Sequence, residues 1–322
     1  MSNNNRVILV TGVGGDIGQS VVKCIKRRTN DKVIGCDIDY YGGGKAFVDK
    51  FYVAPRVSEG DRYIDFIKFV VREEKISHII PITEYEIKLF TDKKIEKLFK
   101  EVKVVINNQF ITSTFLDKYK TIEFFMENQI SYPKTIPLDQ YNNEFQYPVI
   151  IKEKSSRGGK GVYIVNCDRE LEQYTKEKKD ALVQEFIGNE DEEYTMAVFS
   201  DGKNVNCIAF RRILGYGSLS KFVQLINDEK IMALGKKIAE KTQLKGSINV
   251  QMRKCNGEYI PFEVNPRISS TVAFRDHFGF KDVIWWLELV DNENIEIKYK
   301  TKYSKGIGVR VVDEVYFDLQ EK

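Results

Sequence analysis

At 322 residues the chain is long enough for roughly two domains and a substantial buried core. Hydrophobic residues make up 42% and charged residues 30%, with only 7 Pro, which excludes a disordered, collagen-like or low-complexity chain. Lys and Arg number 50 against 47 Asp and Glu, a net charge of +3, so nothing points to the clustered basic face of a nucleic-acid binder.

No apolar run approaches the roughly 20 residues of a membrane helix. The start, Met1 to Arg6, leads straight into a strand-like run without a signal-peptide pattern. The 5 Cys form no Cys-x-x-Cys pair and read as reduced, packed thiols, so a cytoplasmic protein is expected. With only 2 His, a His-rich zinc site is excluded, and any metal would be a hard cation bound through oxygen.

In chain order, Arg6 to Thr11 reads as a buried strand, followed by Gly12-Val13-Gly14-Gly15-Asp16-Ile17-Gly18 and an amphipathic helix carrying Ile17, Val21, Val22 and Ile25. Lys32 to Asp37 is a second strand, Tyr63 to Val71 a helix, Ile76 to Pro81 a third strand and Val102 to Ile106 a fourth. This alternation predicts parallel βαβ units, a Rossmann-like layer over residues 1–115. Its glycine turn fits a phosphate cradle, and Asp37 stands where a ribose-binding acid would. The same turn is equally explained as a tight strand-to-helix connection that binds no dinucleotide.

Beyond residue 116 the pattern changes. Asp117 to Asn128 reads as a helix and Pro148 to Lys152 as a strand. Ser155 to Gly161 is a glycine-rich tip, and Val162 to Val165 the returning strand. Asp168 to Lys179 is a charged helix and Ala181 to Ile187 a strand. Antiparallel strands follow at 194–200, 204–212, 246–253 and 258–264, with helices near 228–242 and 281–291 and a last strand near 306–312.

Several residues in this half suit nucleotide chemistry. Lys152 ends the apolar run Val149-Ile150-Ile151 and is either a phosphate-binding cation or an edge-strand Lys reaching to solvent. Asn256-Gly257 is a type I′ hairpin signal between Asn249-Val250-Gln251 and Glu263-Val264-Asn265-Pro266-Arg267. Two residues apart, Glu263 and Asn265 project from one face, and Gln251 can lie opposite. Three oxygen donors on a rigid hairpin make a platform for Mg²⁺, completed by phosphate oxygens. Arg267 continues that face.

Residues 115–275 resemble the ATP-grasp superfamily, and most closely the synthetase half of the carbamoyl-phosphate synthetase large subunit. The likeness is carried by Gly246-Ser247-x-Asn249-Val250-Gln251, by Asn256-Gly257, and by Glu263-x-Asn265-Pro266-Arg267-x-Ser269. Pro148 to Lys152 with its glycine-rich flap extends it. The resemblance implies a mixed α/β and α+β fold: a Rossmann-like layer over 1–115, a lid subdomain over 116–187 and a metal-binding antiparallel-sheet subdomain over 188–322. It also implies roles. Lys118 and Lys152 would contact ATP phosphates, with Ser156, Gly158, Gly159 and Gly161 in the flap. Gln184, Glu185, Phe186 and Ile187 would line adenine, and Glu193 would hold ribose. Gln251, Glu263 and Asn265 would bind Mg²⁺ or Mn²⁺. Arg267 would orient the γ-phosphate or the acyl phosphate, with Arg211 or Arg212 as a further phosphate contact. Apart from the resemblance, Glu84, just after the strand ending in Pro81, and Ser269, just after Arg267, are expected by position to line the acceptor, and Arg275 is either a partner for an acidic substrate or a surface Arg.

No His occurs between His78 and His277, and the chain has a single such unit. The implied reaction is therefore the general one, in which ATP phosphorylates a carboxylate and an amine or a thiol attacks the acyl phosphate. Small-molecule carboxylates and amines would be the partners, with a homodimer allowed. A phosphotransferase acting on another acceptor, or an NAD-linked oxidoreductase using Gly12 to Gly18 and Asp37, are the alternatives.

Overall fold

The computed structural model describes residues 6–154, 161–177, 180–189, 192–215, 217 and 219–317. Short β-branched runs make the first sheet, since Val and Ile pack well on a pleated surface covered from both sides. It comprises β1 (Val7–Thr11), β2 (Lys32–Asp37), β3 (Lys50–Val53), β4 (His78–Ile80) and β5 (Lys103–Val104). All are parallel, in the order β3-β2-β1-β4-β5. Around it lie α1 (Asp16–Arg28), α2 (Asp61–Glu74), α3 (Glu84–Asp92) and the short α4 (Ile95–Leu98). Thr83 caps α3 through a Thr83/Glu86 capping box, a pattern legible in the sequence as Thr-x-x-Glu.

Two helices, α5 (Gln109–Phe115) and α6 (Lys118–Glu127), lead into a small antiparallel sheet. Its strands are β6 (Thr135–Pro137), β7 (Val149–Glu153), β8 (Val162–Val165) and, after α7 (Asp168–Glu177), β9 (Ala181–Glu185), in the order β6-β9-β7-β8. This sheet has its own apolar cluster of Leu138, Val149, Ile151, Val165, Leu171, Ala181 and Val183.

The large sheet has β10 (Glu193–Asp201), β11 (Val205–Leu214), β12 (Ser220–Ile226), then, after α8 (Glu229–Thr242), β13 (Lys245–Cys255) and β14 (Glu258–Asn265). Past α9 (Val272–His277) and α10 (Asp282–Asp291), β15 (Ile307–Val309) closes it. The order is β14-β13-β10-β11-β12-β15, antiparallel throughout. Period-2 alternation divides its faces. Met196, Val198, Ala209, Ile248 and Val250 pack toward α6 and α8. Ala197, Phe199, Ile208 and Phe210 turn the other way and share one core with Val21, Val22 and Ile25 of α1 and Phe280, Trp286 and Leu287 near α10. The parallel layer is thereby locked to the large sheet, which fixes the cleft between them. Gly246 makes this contact close: a Cβ there would stand 2.7 Å from the Trp286 ring, at a φ of +138°. Among the described residues no helix is long and apolar enough to cross a membrane.

Candidate active site

Asn256 and Gly257 both have positive φ, 50° and 80°, as a two-residue type I′ loop requires. That turn sets the register Gln251↔Glu263 and Asn249↔Asn265. Val250 and Val264 face the core, so Asn249, Gln251, Glu263 and Asn265 share the opposite face. They line a cleft of about 490 Å³ whose other walls are Ile150, Val162 and Ile164 of the small sheet, Ile187 just past β9, and Asp16 and Ile17 of α1.

Glu263 is held by two amides. Gln251 Nε2 donates to its Oε1 at 3.2 Å, and Asn265 Nδ2 donates to the same oxygen at 3.0 Å. Arg212 Nη2 donates to Gln251 Oε1 at 2.7 Å and to Glu193 Oε1 at 2.6 Å, and Arg212 Nε reaches the same Glu193 oxygen at 3.0 Å. Arg253 approaches the other Glu193 oxygen at 3.7 Å, stacks on Phe186 and donates to the Ile187 carbonyl at 3.3 Å. One carboxylate beside two amide side chains, set in a cleft with arginines around it, is a donor set that fits a hard divalent cation shared with an anionic ligand.

Lys152 lies on β7 between β8 and β9, so the edge-strand reading is corrected: it is an interior Lys, 6% exposed. Its Nζ sits 5.0 Å from the Phe262 ring centre. Burial pushes its ammonium down to about 8; nearby Lys118 and Arg253 act in the same sense, against Glu263 and Glu193. Lys118 opens α6, and its backbone N–H donates to the Lys154 carbonyl at 3.5 Å. Gly161, at φ +68°, pairs its carbonyl with the Glu153 amide at 3.0 Å and so closes the hairpin base. Ser156, Gly158 and Gly159 lie outside the described residues.

Gln184 and Glu185 are tied within the small sheet. Gln184 Nε2 donates to Thr135 Oγ1 at 2.8 Å, and Glu185 Oε1 accepts from the Lys134 amide at 3.0 Å. Of the expected adenine strip, Ile187 lines the cleft directly.

Arg267 belongs to the cleft and is clamped by Glu84, with Nε at 3.1 Å and Nη2 at 2.8 Å from one carboxylate oxygen. Glu84 and Arg267 also line a second cavity above the parallel sheet. Two expectations need correction, those for Arg211 and Arg275. Arg211 faces away: it is one residue from Arg212 on an extended strand, so its side chain joins the opposite face, near Tyr194. Arg275 is 0% exposed and cannot meet a substrate; it donates to both oxygens of Asp282 at 2.9 and 2.7 Å and to Ser269 Oγ at 2.9 Å. Ser269 is buried in the same network, donating to Asn249 Oδ1 at 2.7 Å, although the residue does line the cleft. Arg275 and Ser269 thus brace the loop after Arg267.

Three residues, Arg253, Asn107 and Asp16, carry no role in the sequence reading, whereas Asn249 stands in its hairpin motif. Arg253 continues the alternation 249, 251, 253 and could have been found by it. Asn249 also accepts from Thr195 at 3.0 Å. Asn107, buried at the end of the parallel layer, donates to the Ser247 and Pro266 carbonyls at 2.8 and 3.0 Å and so fixes the base of the hairpin. Asp16 lines both cavities. The last two are brought in from over 100 residues away, so no local pattern announces them.

Residues 115–271 match the ATP-grasp domain model, and residues 8–105 match that of the PylC-like N-terminal domain. The chain is similar to the C-terminal section of the carbamoyl phosphate synthase large chain of Aquifex aeolicus, 31% identical over 41% of this chain and 27% of that one. Against the carbamoyl phosphate synthase large chain of Clostridium botulinum, identity is 24% over 85% of this chain and 28% of that one. The chain therefore spans little more than a quarter of the length of these relatives. Its fold is similar to the biotin carboxylase domain of the 2-oxoglutarate carboxylase of Hydrogenobacter thermophilus, solved with MgADP and bicarbonate, at a TM-score of 0.71 and 15% identity, over 92% of this chain and 71% of that one. The chain thus carries an ATP-grasp domain, residues 115–271, behind an N-terminal domain of the PylC-like kind, residues 8–105.

Proposed function

We propose that the protein is a Mg-ATP-dependent ligase that activates a carboxylate as its acyl phosphate and joins it to an amine or a thiol, releasing ADP and phosphate. We read residues 1–115 as its acceptor-side layer, 116–187 as its lid and 188–322 as its metal-binding part. One observation carries this: Gln251, Glu263 and Asn265 stand together on one cleft wall with Lys152, Arg212 and Arg267 also at that cleft or beside it. The family relationship and the carboxylase-like fold support the same reaction class.

Glu263 and Asn265, with Gln251, would hold Mg²⁺, which when bound screens the triphosphate and polarises its terminal phosphate. Lys152, and Lys118 beside it, would take phosphate oxygens. A Lys whose ammonium is held down by burial gains most from a phosphate, because that partner restores its charge. Ile187 would cover adenine, with Gln184, Glu185 and Phe186 behind it, and Glu193 would accept ribose hydroxyls. Ser156, Gly158, Gly159 and Gly161 would close the flap over the phosphates. Arg212 would stay on Glu193 and Gln251 as a brace, and Arg267, oriented by Glu84, would meet the charge that develops on the transferred phosphoryl group. No side-chain nucleophile is needed; positioning and electrostatics suffice.

The test is substrate-dependent ADP release against pooled carboxylates and amines, with mass analysis of the product. Wild type should form an amide or thioester, and Glu263→Gln should lose both ADP release and thermal stabilisation by Mg-ATP. A stable phosphorylated acceptor without amide would shift the reading to a phosphotransferase. Stabilisation by NAD(H) and not by Mg-ATP would shift it to an oxidoreductase.

A further inference from the structure

The outermost strand of the large sheet, β15, has a neighbour on one side only among the described residues, β12. The Arg310 amide donates to the Lys221 carbonyl and the Leu225 amide donates to the Gly306 carbonyl, both at 2.8 Å. Backbone groups alternate in direction along an antiparallel strand. Gly306, Gly308 and Arg310 therefore turn theirs toward β12, while Ile307, Val309 and Val311 turn theirs outward.

Side chains alternate across the sheet in the same way. At Gly306 and Gly308 an added Cβ would run into the rings of Phe278 and Phe274, so the end of α9 leaves room for nothing larger than Gly there. Arg310 stays on that covered face, with its guanidinium over the Phe274 ring and its Nη2 donating to the Ser270 carbonyl at 2.6 Å. The other face carries Ile307, Val309 and Val311, all β-branched and all exposed, Val311 to 78%. Val309 lies opposite Phe222, and Phe222 opposite the exposed Ile213, so the uncovered apolar row continues into the sheet.

Soluble proteins blunt an open strand edge with Lys, Pro, a bulge or a cover. Between Gly306 and Val312 there is no Lys or Pro, and the only charged residue, Arg310, is turned under. The charges stand just outside instead: Lys305 before the apolar run and Asp313 after it, both exposed. That spacing is its own complement. In an antiparallel pairing with a second copy about a two-fold axis at Val309, the two Val309 side chains meet, Ile307 meets the partner's Val311, and Lys305 meets the partner's Asp313. Moving the axis one residue either way sets Lys305 against an apolar residue, the partner's Val311 or the partner's Val315. Opposite charges and β-branched pairs placed directly across from each other stabilise a sheet.

We propose that β15 is a dimer edge, at which two copies of this chain join their large sheets through antiparallel pairing of residues 305–313 centred on Val309. Such a contact is isologous and closes at two copies. Paired strands of this length alone bury less than the about 800 Å² per partner of a standard stable complex, so the dimer forms in the micromolar range and exchanges.

The experiment is sedimentation velocity on the full chain over a micromolar concentration series. Wild type should pass from monomer to dimer. Val309→Lys, which sets two cations face to face on the axis, should stay monomeric with an unchanged circular dichroism spectrum. Val309→Pro should also stay monomeric, since it removes only an outward N–H and leaves the β12 pairing intact; should it misfold, the other variants still decide. Lys305→Asp and Asp313→Lys should each weaken self-association about tenfold, because each creates two like-charge pairs. An equimolar mixture of these two variants should recover wild-type affinity, because the mixed dimer sets opposite charges together at both ends. A wild type that stays monomeric, a Val309→Lys that dimerises as tightly as wild type, or a mixture that associates no better than its separate components would each overturn the proposal.

Discussion

Replacing Lys152 by Met should make the ligand-free protein more stable while abolishing its response to Mg-ATP. Lys152 is an interior strand residue, 6% exposed, and among the described residues no carboxylate lies within ion-pair distance of it. Its ammonium is pushed from the usual 10.5 down to about 8, chiefly by burial. The folded chain thus holds that proton roughly 300-fold less tightly than the unfolded chain, a difference of roughly 3 kcal/mol. Between these two values the unfolded chain binds more protons, so stability rises with pH across that window. The cost is fully present below about pH 8 and gone above about pH 10.5. Met keeps the length and apolar contact of the stem without the charge. At pH 7 the variant should melt roughly 4–5 °C higher than wild type, given the unfolding entropy of a chain this size, and the gap should shrink towards pH 10.5. Differential scanning calorimetry at pH 7 and at pH 10 measures it. Wild type should gain stability from Mg-ATP, and the variant little, because the phosphate partner for the cation is lost. A variant less stable than wild type at pH 7, or a gap that does not change with pH, would refute the reasoning.

Arg275→Met should destabilise by about 3–5 kcal/mol, because Asp282 is left as an unpaired buried charge, and the double change Arg275→Met with Asp282→Leu should recover much of the loss; urea titration of the three variants checks this. Glu193→Gln should cost about 3 kcal/mol by stranding Arg212 in the cleft wall, read as a lower denaturation midpoint. Gly246→Ala should unfold at markedly lower temperature, by about 3 kcal/mol or more, since the added carbon meets Trp286 at 2.7 Å on a backbone that L residues rarely adopt. Asn107→Ala should cost about 2 kcal/mol through the two carbonyls it leaves without a donor, and should lower turnover more than ATP affinity because it supports the Pro266–Arg267 turn.

The chain order of strands and helices, the parallel first layer and the metal-type hairpin were written locally. Apolar alternation at 248, 250 and 264 decides which face of β13 and β14 is buried, and Asn256-Gly257 decides the register; together they bring Gln251 opposite Glu263 with no help from distant residues. Strands β3 and β12 escaped this reading because Lys50 to Val53 is too short to show a period and Ser220 to Ile226 emerges from a Gly/Ser-rich stretch. Helix α3 carries a local start signal, the Thr83/Glu86 capping box.

What the tertiary structure alone decided is which polar residues meet. Strand parity selects Arg212 over Arg211 only once β11 is seated beside β10. Arg275 resembles any surface Arg until α9 and α10 close on it and Asp282 takes its charge. Asp16, Glu84 and Asn107 join Arg267 and its hairpin only because α1 packs its apolar side on the core shared with the large sheet. Hydrophobic periodicity determines where each element lies on its own axis, and burial between elements over 100 residues apart determines what faces the cleft. The second of these depends on contacts no local window contains.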